Sequence, residues 1–261
     1  MKAPPPPAPP PFTWSGCYIG GFAGAAVSAD DPSFNDLGNA NFRSYSGGFV
    51  AGRLENPHAW GVSHDTSFIG GGTLGCNWQT PGSPFVLGIE GEGGYLSHDG
   101  SAFDPLRAPN LVAVTPDVLG SAGIGDWYAM VTGRLGYAWD RTMIYVKGGA
   151  AFLEARSSVV DTCTATAIGC GNWLISTGAT ETITTWTVGG GIEWAFAPNW
   201  SLKGEYMFIG LDESLGSCGT ATLASGAVVG GGPFCFNHSF DGIHTAKIGL
   251  NYRFNGFFWG R

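Results

Sequence analysis

Residues 126–139, DWYAMVTGRLGYAW, divide their side chains between two chemically different faces. Successive side chains of a β-strand point to opposite faces, so alternate residues of this segment lie together. One face carries Trp127, Ala129, Val131, Leu135, Tyr137 and Trp139, with Gly133 among them. The other carries Thr132, Arg134 and Gly136. The first face suits hydrocarbon and the second suits water, so the segment predicts a strand that separates two solvents.

The same two-residue period recurs along the chain. Seven further segments show it: 14–27, 66–79, 85–98, 143–155, 182–197, 200–211 and 243–254. The total is eight, an even number, as in bacterial transmembrane barrels. Residues 45–54, YSGGFVAGRL, leave two interpretations open, since they either extend the hairpin of the second strand or form a strand of their own.

The connections between these segments alternate between short and long. The short ones are TPGSP after the second strand, DRT after the fourth and PN after the sixth. The long ones run to roughly 25–40 residues, are rich in glycine and small polar residues, and predict loops without regular structure. Short turns at one end and long loops at the other predict an all-β fold. It is an eight-stranded antiparallel up-and-down transmembrane β-barrel with long extracellular loops and short periplasmic turns.

The composition agrees with a membrane barrel and excludes other classes. Charged residues make up 12% of the chain, whereas an ordinary soluble domain has about 25%. No run of 18 apolar residues occurs, so a transmembrane helix is excluded. The net charge of −8 argues against a nucleic-acid partner, which requires a basic surface.

Nearly every charged residue of the predicted strands falls on the inward parity. The inward set is Glu90, Glu92, Arg134, Lys147, Glu193, Lys203, Glu205, Lys247 and Arg253. The bore of an eight-stranded barrel is just wide enough for side chains to fill it. We therefore expect these charges to pair across the barrel as a lumen network and to plug it; the alternative is an ion gate that opens when the pairs exchange. Tryptophans near the short turns predict a periplasmic aromatic girdle of Trp14, Trp78, Trp139, Trp194 and Trp200.

Six cysteines without a C-x-x-C spacing indicate an oxidising compartment and no zinc site. Cys163 and Cys170 share the third long loop, and Cys218 and Cys235 share the fourth, so each pair predicts a disulfide. Cys17 and Cys76 fall on neighbouring strands with the same parity. Whether they form a third disulfide stays open, because bridges between adjacent strands have demanding geometry.

Catalytic and ligand-binding signals are weak. Ser97 and His98 are the only local pairing of a nucleophile with a base, and no acid is placed to orient them, so we expect no enzyme. No cofactor and no metal site are indicated. Five histidines, His58, His64, His98, His238 and His244, are either solvated loop residues or a hemin site at the extracellular end.

Several short motifs in a fixed order carry a family resemblance. PPPFTWSGCYIGG near the start, GRLGYAWDR, the turn NW with LKGEY, and GLNYRF near the end resemble the porin-like outer-membrane β-barrel family of Gram-negative bacteria. That family includes outer-membrane immunogenic and hemin-binding surface proteins. The chain is more distantly similar to the transmembrane domain of outer-membrane protein A, whose paired lumen charges imply comparable places for Arg134, Lys147, Glu193, Lys203, Glu205 and Glu90.

The resemblance implies a location in the bacterial outer membrane and three regions. Residues 1–13 form a proline-rich periplasmic leader, 14–254 the barrel and 255–261 a short tail. The leader has no apolar core, so it is not an intact signal peptide, and we expect a signal to have been removed. The expected function is mainly structural and surface-presenting; a narrow ion-conducting porin or a hemin or ligand receptor is the alternative.

The expected partners follow from the same location. They are outer-membrane lipid and lipopolysaccharide, the barrel-assembly machinery, peptidoglycan or periplasmic proteins through the leader, and other envelope subunits. Oligomeric state and membership of a larger assembly stay open at this level.

Overall fold

A computed structural model describes residues 12–29, 33–37, 58–62, 66–104, 118–163, 173–240 and 242–254. The described residues form twelve strands: β1 (Gly16–Ser28), β2 (Ser33–Asp36), β3 (His58–Gly61), β4 (Ser67–Gln79), β5 (Phe85–Phe103), β6 (Val118–Trp139), β7 (Thr142–Cys163), β8 (Trp173–Trp194), β9 (Trp200–Gly210), β10 (Glu213–Leu223), β11 (Val228–Phe240) and β12 (Ile243–Phe254). No helix among these residues is long and apolar enough to span a bilayer.

Eight of the strands close into a ring of antiparallel neighbours. The order around the ring is β1, β4, β5, β6, β7, β8, β9 and β12, and β12 pairs with β1 again. In the closing pair Ile19 lies opposite Tyr252 and Ala23 opposite Ile248. The eight-stranded barrel predicted from the alternation is therefore confirmed. Closure satisfies the backbone hydrogen bonds of every strand within the hydrocarbon, where water is absent.

The prediction of long loops without regular structure is wrong in the described residues. Strands β5 to β8 continue well beyond the ends expected from the sequence, and β2, β3, β10 and β11 lie within the first and fourth long connections. Small polar residues replace apolar ones outside the membrane, so the alternation that marks a strand fades while the strand itself continues. Residues 45–54, the leader up to residue 11 and the tail 255–261 lie outside the described residues.

The two faces of the barrel follow the predicted parity. Trp127, Val131, Leu135, Tyr137 and Trp139 are all exposed on the outer wall. From Trp127 to Trp139 the strand covers roughly 40 Å, which at a 45° tilt is roughly 28 Å of height, close to the apolar band of an outer-membrane barrel. The aromatic residues at the two ends of this stretch thus mark the two membrane boundaries.

A bulge interrupts β6 at the outer boundary. Ile124 pairs with Ala155 and Tyr128 with Leu153, so β6 has two residues more than β7 here. Because the excess is even, Ile124 and Tyr128 both point inward and the parity of the strand is kept. Asp126 lies in the bulge with a φ of 62°, a left-handed conformation that few non-glycine residues adopt.

Two disulfides join directly opposed residues. Cys218 and Cys235 link β10 to β11, which confirms the predicted bridge of the fourth loop. Cys17 and Cys76 link β1 to β4, so the pairing left open by the sequence is present. Cys170, the predicted partner of Cys163, lies outside the described residues.

A lysine introduced at the middle of the outer wall tests which part of the barrel lies in the membrane. Ile89 is 58% exposed and pairs with Gly133, midway between Trp127 and Trp139. We expect Ile89→Lys to lower the free energy of unfolding by about 2–4 kcal/mol, because it places a charge at the bilayer midplane. The measurement is urea unfolding in phospholipid vesicles.

The matched control is Ser158→Lys, a lysine on the outer wall beyond the boundary. Ser158 is exposed on β7, and the change should stay within about 0.5 kcal/mol. Equal losses for the two variants would contradict the placement of the membrane.

Candidate functional site: the charged lumen

Eight charged side chains from six strands meet inside the barrel, and all are buried. They are Glu90, Glu92, Arg134, Lys147, Glu193, Lys203, Glu205 and Lys247. Four are acids and four are bases, so the formal charges sum to zero. Each comes from the inward parity of its strand, which is why residues distant in sequence converge on one axis.

The charges of the lumen form two layers, and the lower one, toward the periplasm, contains the ion pair of Arg134 and Glu193. The Arg134 guanidinium donates to the Glu193 carboxylate and lies 3.6 Å from the centre of the Tyr145 ring. The other carboxylate oxygen of Glu193 accepts from Ser201 Oγ at 2.5 Å and from Asn251 Nδ2 at 3.0 Å. Both oxygens are therefore satisfied, as a buried carboxylate requires.

The upper layer brings lysines and glutamates together. Lys147 Nζ lies 2.6 Å from Glu90 Oε1 and 2.9 Å from Glu205 Oε2. Lys203 Nζ lies 3.2 Å from Glu90 Oε2, so Glu90 bridges two ammonium groups. These contacts cross the bore between strands that are not neighbours, so the cross-section is filled by side chains at this level.

Lys247 completes the upper layer. Its ammonium group contacts the Glu92 carboxylate, lies 3.1 Å from Glu205 Oε1 and sits 5.0 Å from the centre of the Phe22 ring. One carboxylate oxygen from each of Glu90, Glu92 and Glu205 lies within 4.8 Å of the others, a spacing that suits a metal ion. Lysine ammonium groups already neutralise these carboxylates, so the cluster is a salt-bridge network.

Three tyrosines belong to the network and were not singled out from the sequence. Tyr18 donates to Glu90 at 2.6 Å, Tyr128 to Glu92 at 2.7 Å and Tyr145 to Glu205 at 2.9 Å. Their inward parity was readable, but an aromatic residue in an amphipathic strand is usually assigned to the lipid face. The hydroxyls satisfy lone pairs that the cations leave free.

Inward glycines make room for this packing. A Cβ atom on Gly20 would lie 2.0 Å from Asn251 Oδ1, and one on Gly88 would lie 2.3 Å from Asn77 Oδ1. Both distances are far below van der Waals contact. The glycines therefore let polar side chains lie flat against the barrel wall.

Arg253 is the one predicted lumen residue that lies apart from the network. Its guanidinium donates to the carbonyl oxygens of Thr13 and Pro198, both at 2.7 Å, and lies 4.5 Å from the centre of the Phe12 ring. It is next to last in β12, at the periplasmic rim, where the bore ends. Its removal from the predicted set turns five bases into four, which is what balances the four acids.

The predicted aromatic girdle is wrong for Trp14, which is buried. Trp78, Trp139, Trp194 and Trp200 are exposed on the outer wall, as expected, but Trp14 is only 3% exposed. It precedes β1, and its backbone N–H donates to Gln79 Oε1 at 2.8 Å, so the chain turns across the barrel end. The indole packs there in a cluster with Phe12, Val86, Ala138, Met143, Tyr145 and Ala195.

An aromatic cluster lies at the extracellular end of the lumen. Phe34 of β2 stacks on Trp60 of β3 at 5.4 Å between ring centroids and lies 4.4 Å from His238 of β11. His238 in turn packs 4.4 Å from Phe240. These residues are buried and continuous with the apolar side chains above the charge network.

The histidines and the Ser97–His98 pairing do not form the arrangements considered from the sequence. His98 is buried in the lumen and lies 2.7 Å from both Ser28 Oγ and Ser67 Oγ. Ser97 donates instead to Asp99 at 2.7 Å. His238 lies in the extracellular cluster, and His244 contacts the hydroxyl of Tyr206 on the outer wall. The side chain of His58 and all of His64 lie outside the described part of the chain.

Residues 12–254 match the family described as the outer membrane protein beta-barrel domain. The chain belongs to this family. It is an outer-membrane protein, as the resemblance predicted. It is 29% identical over 248 residues to the 31 kDa outer-membrane immunogenic proteins of Brucella melitensis and Brucella suis, with 93% of this chain and 85% of each relative covered.

Among solved structures, the outer-membrane protein OprG from Pseudomonas aeruginosa is similar with a TM-score of 0.47 and 10% identity. The match covers 93% of this chain and 99% of that one.

The Arg134–Glu193 pair gives a direct test of the lumen. We expect Glu193→Gln to lower the free energy of unfolding by about 3–5 kcal/mol, because it leaves a buried guanidinium without its counter-charge. The double variant Arg134→Gln/Glu193→Gln should lose less than the sum of the single losses. Urea unfolding in vesicles measures all three.

The control for this cycle is Glu154→Gln. Glu154 pairs with Arg156 on the outer surface, where the two side chains are 28% and 41% exposed. An exposed pair contributes about 0–1 kcal/mol. Additive losses at positions 134 and 193 would show that the buried pair is not coupled.

Proposed function

We propose that this protein is a structural, surface-presenting barrel whose lumen is plugged. The observation that carries the proposal is the salt-bridge network across the bore: four buried acids and four buried bases, whose formal charges sum to zero, pair with one another. A conducting pore keeps a water-filled channel lined by side chains that face water. Here the charges contact one another across the bore.

The ends of the barrel support the same proposal. Trp14 lies across the periplasmic end, within its apolar cluster. Phe34, Trp60 and His238 pack together at the extracellular end. An ion would have to displace both clusters and separate salt bridges between them, which is costly in a medium of low dielectric constant.

The extracellular strands supply the presenting surface. β5 to β8 extend beyond the membrane boundary, and the β10–β11 hairpin is held by the Cys218–Cys235 disulfide. A covalent link of this kind resists fraying and proteolysis in exposed segments. The relatives are named as immunogenic outer-membrane proteins, and we infer a comparable display of surface segments, without catalysis, in this chain.

The alternatives from the sequence receive less support. His98, His238 and His244 lie in the lumen, in the extracellular cluster and on the outer wall, so these three do not converge on a hemin iron. A narrow ion pore would require the salt-bridge network to separate. The expected partners remain proposals: membrane lipid and lipopolysaccharide, the barrel-assembly machinery, peptidoglycan or periplasmic proteins through the proline-rich leader, and other envelope subunits.

Planar-bilayer recording tests the proposal. The wild-type protein should show no stable single-channel openings. The variant Glu90→Ala/Lys147→Ala/Lys203→Ala/Glu205→Ala removes two acids and two bases, so it opens most of the upper layer without changing the net charge and leaves Glu92 paired with Lys247. We expect it to conduct more than the wild type, provided that its heat-dependent shift on a gel shows a folded barrel.

Trp200→Ala serves as the control, since Trp200 is on the lipid-facing wall and its loss should leave the protein silent. Stable openings of the wild-type barrel would refute the plugged lumen.

A further inference from the structure

A groove with a volume of about 790 Å³ lies on the outer wall of the barrel where β5 to β8 extend above the membrane. Two rows of residues across these strands form it. The lower row runs Asp99, Gly123, Arg156 and Thr180, and the upper row runs Ser101, Ser121, Ser158 and Gly178. The groove is thus lined by hydroxyl groups, backbone, one carboxylate and one guanidinium.

Neighbouring groups hold Asp99 and Arg156 in position. Asp99 Oδ2 accepts from Ser97 Oγ at 2.7 Å. Arg156 Nη2 lies 2.6 Å from Asp126 Oδ2, and its Nε lies 3.1 Å from Glu154 Oε1. Asp126 makes its contact from the left-handed backbone of the β6 bulge, with a φ of 62°.

Arg156 keeps donors for a ligand. A guanidinium has five N–H groups, and the two contacts with Asp126 and Glu154 leave some of them for another acceptor. Its side chain is 41% exposed. It can therefore donate to a molecule in the groove without giving up its ion pairs.

The position of the groove relative to the membrane interface indicates which molecules surround it. Trp127 and Tyr95 are exposed on the outer wall, next to the bulge, and such aromatic residues mark the membrane interface. The groove begins at Asp99 and Arg156, a few residues beyond that level. In the outer leaflet of an outer membrane this layer is filled by the sugars of lipopolysaccharide, which surround the barrel on all sides.

We propose that this groove binds the core oligosaccharide of a neighbouring lipopolysaccharide molecule. Its hydroxyl groups, with Asp99 and Arg156, offer both donors and acceptors to a saccharide, whose own groups are hydroxyls. Phosphate is less favoured than sugar, because Asp99, Asp126 and Glu154 outnumber the single cation. The proposal depends on the outer-membrane location and not on the plugged lumen, so either can fail alone.

The test compares two ligands for the folded protein in phosphatidylcholine nanodiscs. One is lipopolysaccharide with a complete core, and the other is lipid A alone; transfer of a fluorescently labelled ligand gives each Kd. Wild-type protein should bind the core-bearing molecule about tenfold more tightly than lipid A, a difference of about 1.4 kcal/mol. Free core oligosaccharide should compete for the same site.

Tryptophans placed in the groove should remove this preference. Ser158→Trp and Ser121→Trp fill the upper row, and we expect each to reduce the affinity for core-bearing lipopolysaccharide to that for lipid A, with the lipid A affinity unchanged. Arg156→Gln should weaken core binding in the same direction. The heat-dependent shift on a gel shows that each variant is folded.

Leu174→Trp is the matched control, because Leu174 is exposed on β8, four residues beyond Gly178 and outside the groove. It should keep the wild-type preference. Two results would overturn the proposal: equal wild-type affinities for the two ligands, or an unchanged preference in both Ser158→Trp and Ser121→Trp.

Discussion

Water is absent from the hydrocarbon layer of a membrane, and this absence dictates the architecture of the barrel. Backbone N–H and C=O groups in that layer must find partners within the protein, and a sheet achieves this only by closing on itself. The pairing of β12 with β1 supplies the closure. Once the ring exists, the alternation of each strand assigns every side chain either to lipid or to a narrow interior.

Charges in the interior cannot reach water, so each needs a partner inside the barrel. Four acids and four bases meet this need by forming a connected network, and Tyr18, Tyr128 and Tyr145 satisfy carboxylate oxygens as well. The network stiffens the barrel and fills its bore at the same time. Apolar clusters at the two ends separate it from both solvents.

Outside the membrane the same strands have a different role. Above the bulge at Asp126 the outer wall changes from mainly apolar and aromatic to mainly small, hydroxyl-bearing and charged residues. The inner wall changes from the charge network to mostly apolar side chains, with a few buried polar ones such as His98 and Ser157. The chain therefore keeps one continuous sheet through two environments while the residues on both of its faces change. The change on the outer wall turns a lipid-facing surface into one that suits sugar or water.

Strand alternation and turn spacing were enough to predict the eight barrel strands, because burial in lipid imposes the period-two pattern directly on the sequence. The same parity predicted which charges point inward, and eight of the nine lie there. Parity did not predict three features of the structure. They are the position of Arg253 at the periplasmic rim, the inward turn of Trp14, and the length of β5 to β8 beyond the membrane. At those places the environment changes within one or two residues, and the pattern gives no sign of where the membrane stops.

Alternation along single segments accounts for the class of fold, the number of barrel strands and the separation of lipid-facing from inward residues, since each of these is a local property of the chain. Three features became visible only in the folded barrel: which acid meets which base, that Cys17 bonds to Cys76, and that the acids and bases of the network are equal in number. Those outcomes depend on the stagger of strands around the ring. Stagger is set by many cross-strand contacts at once and leaves no mark on any single segment.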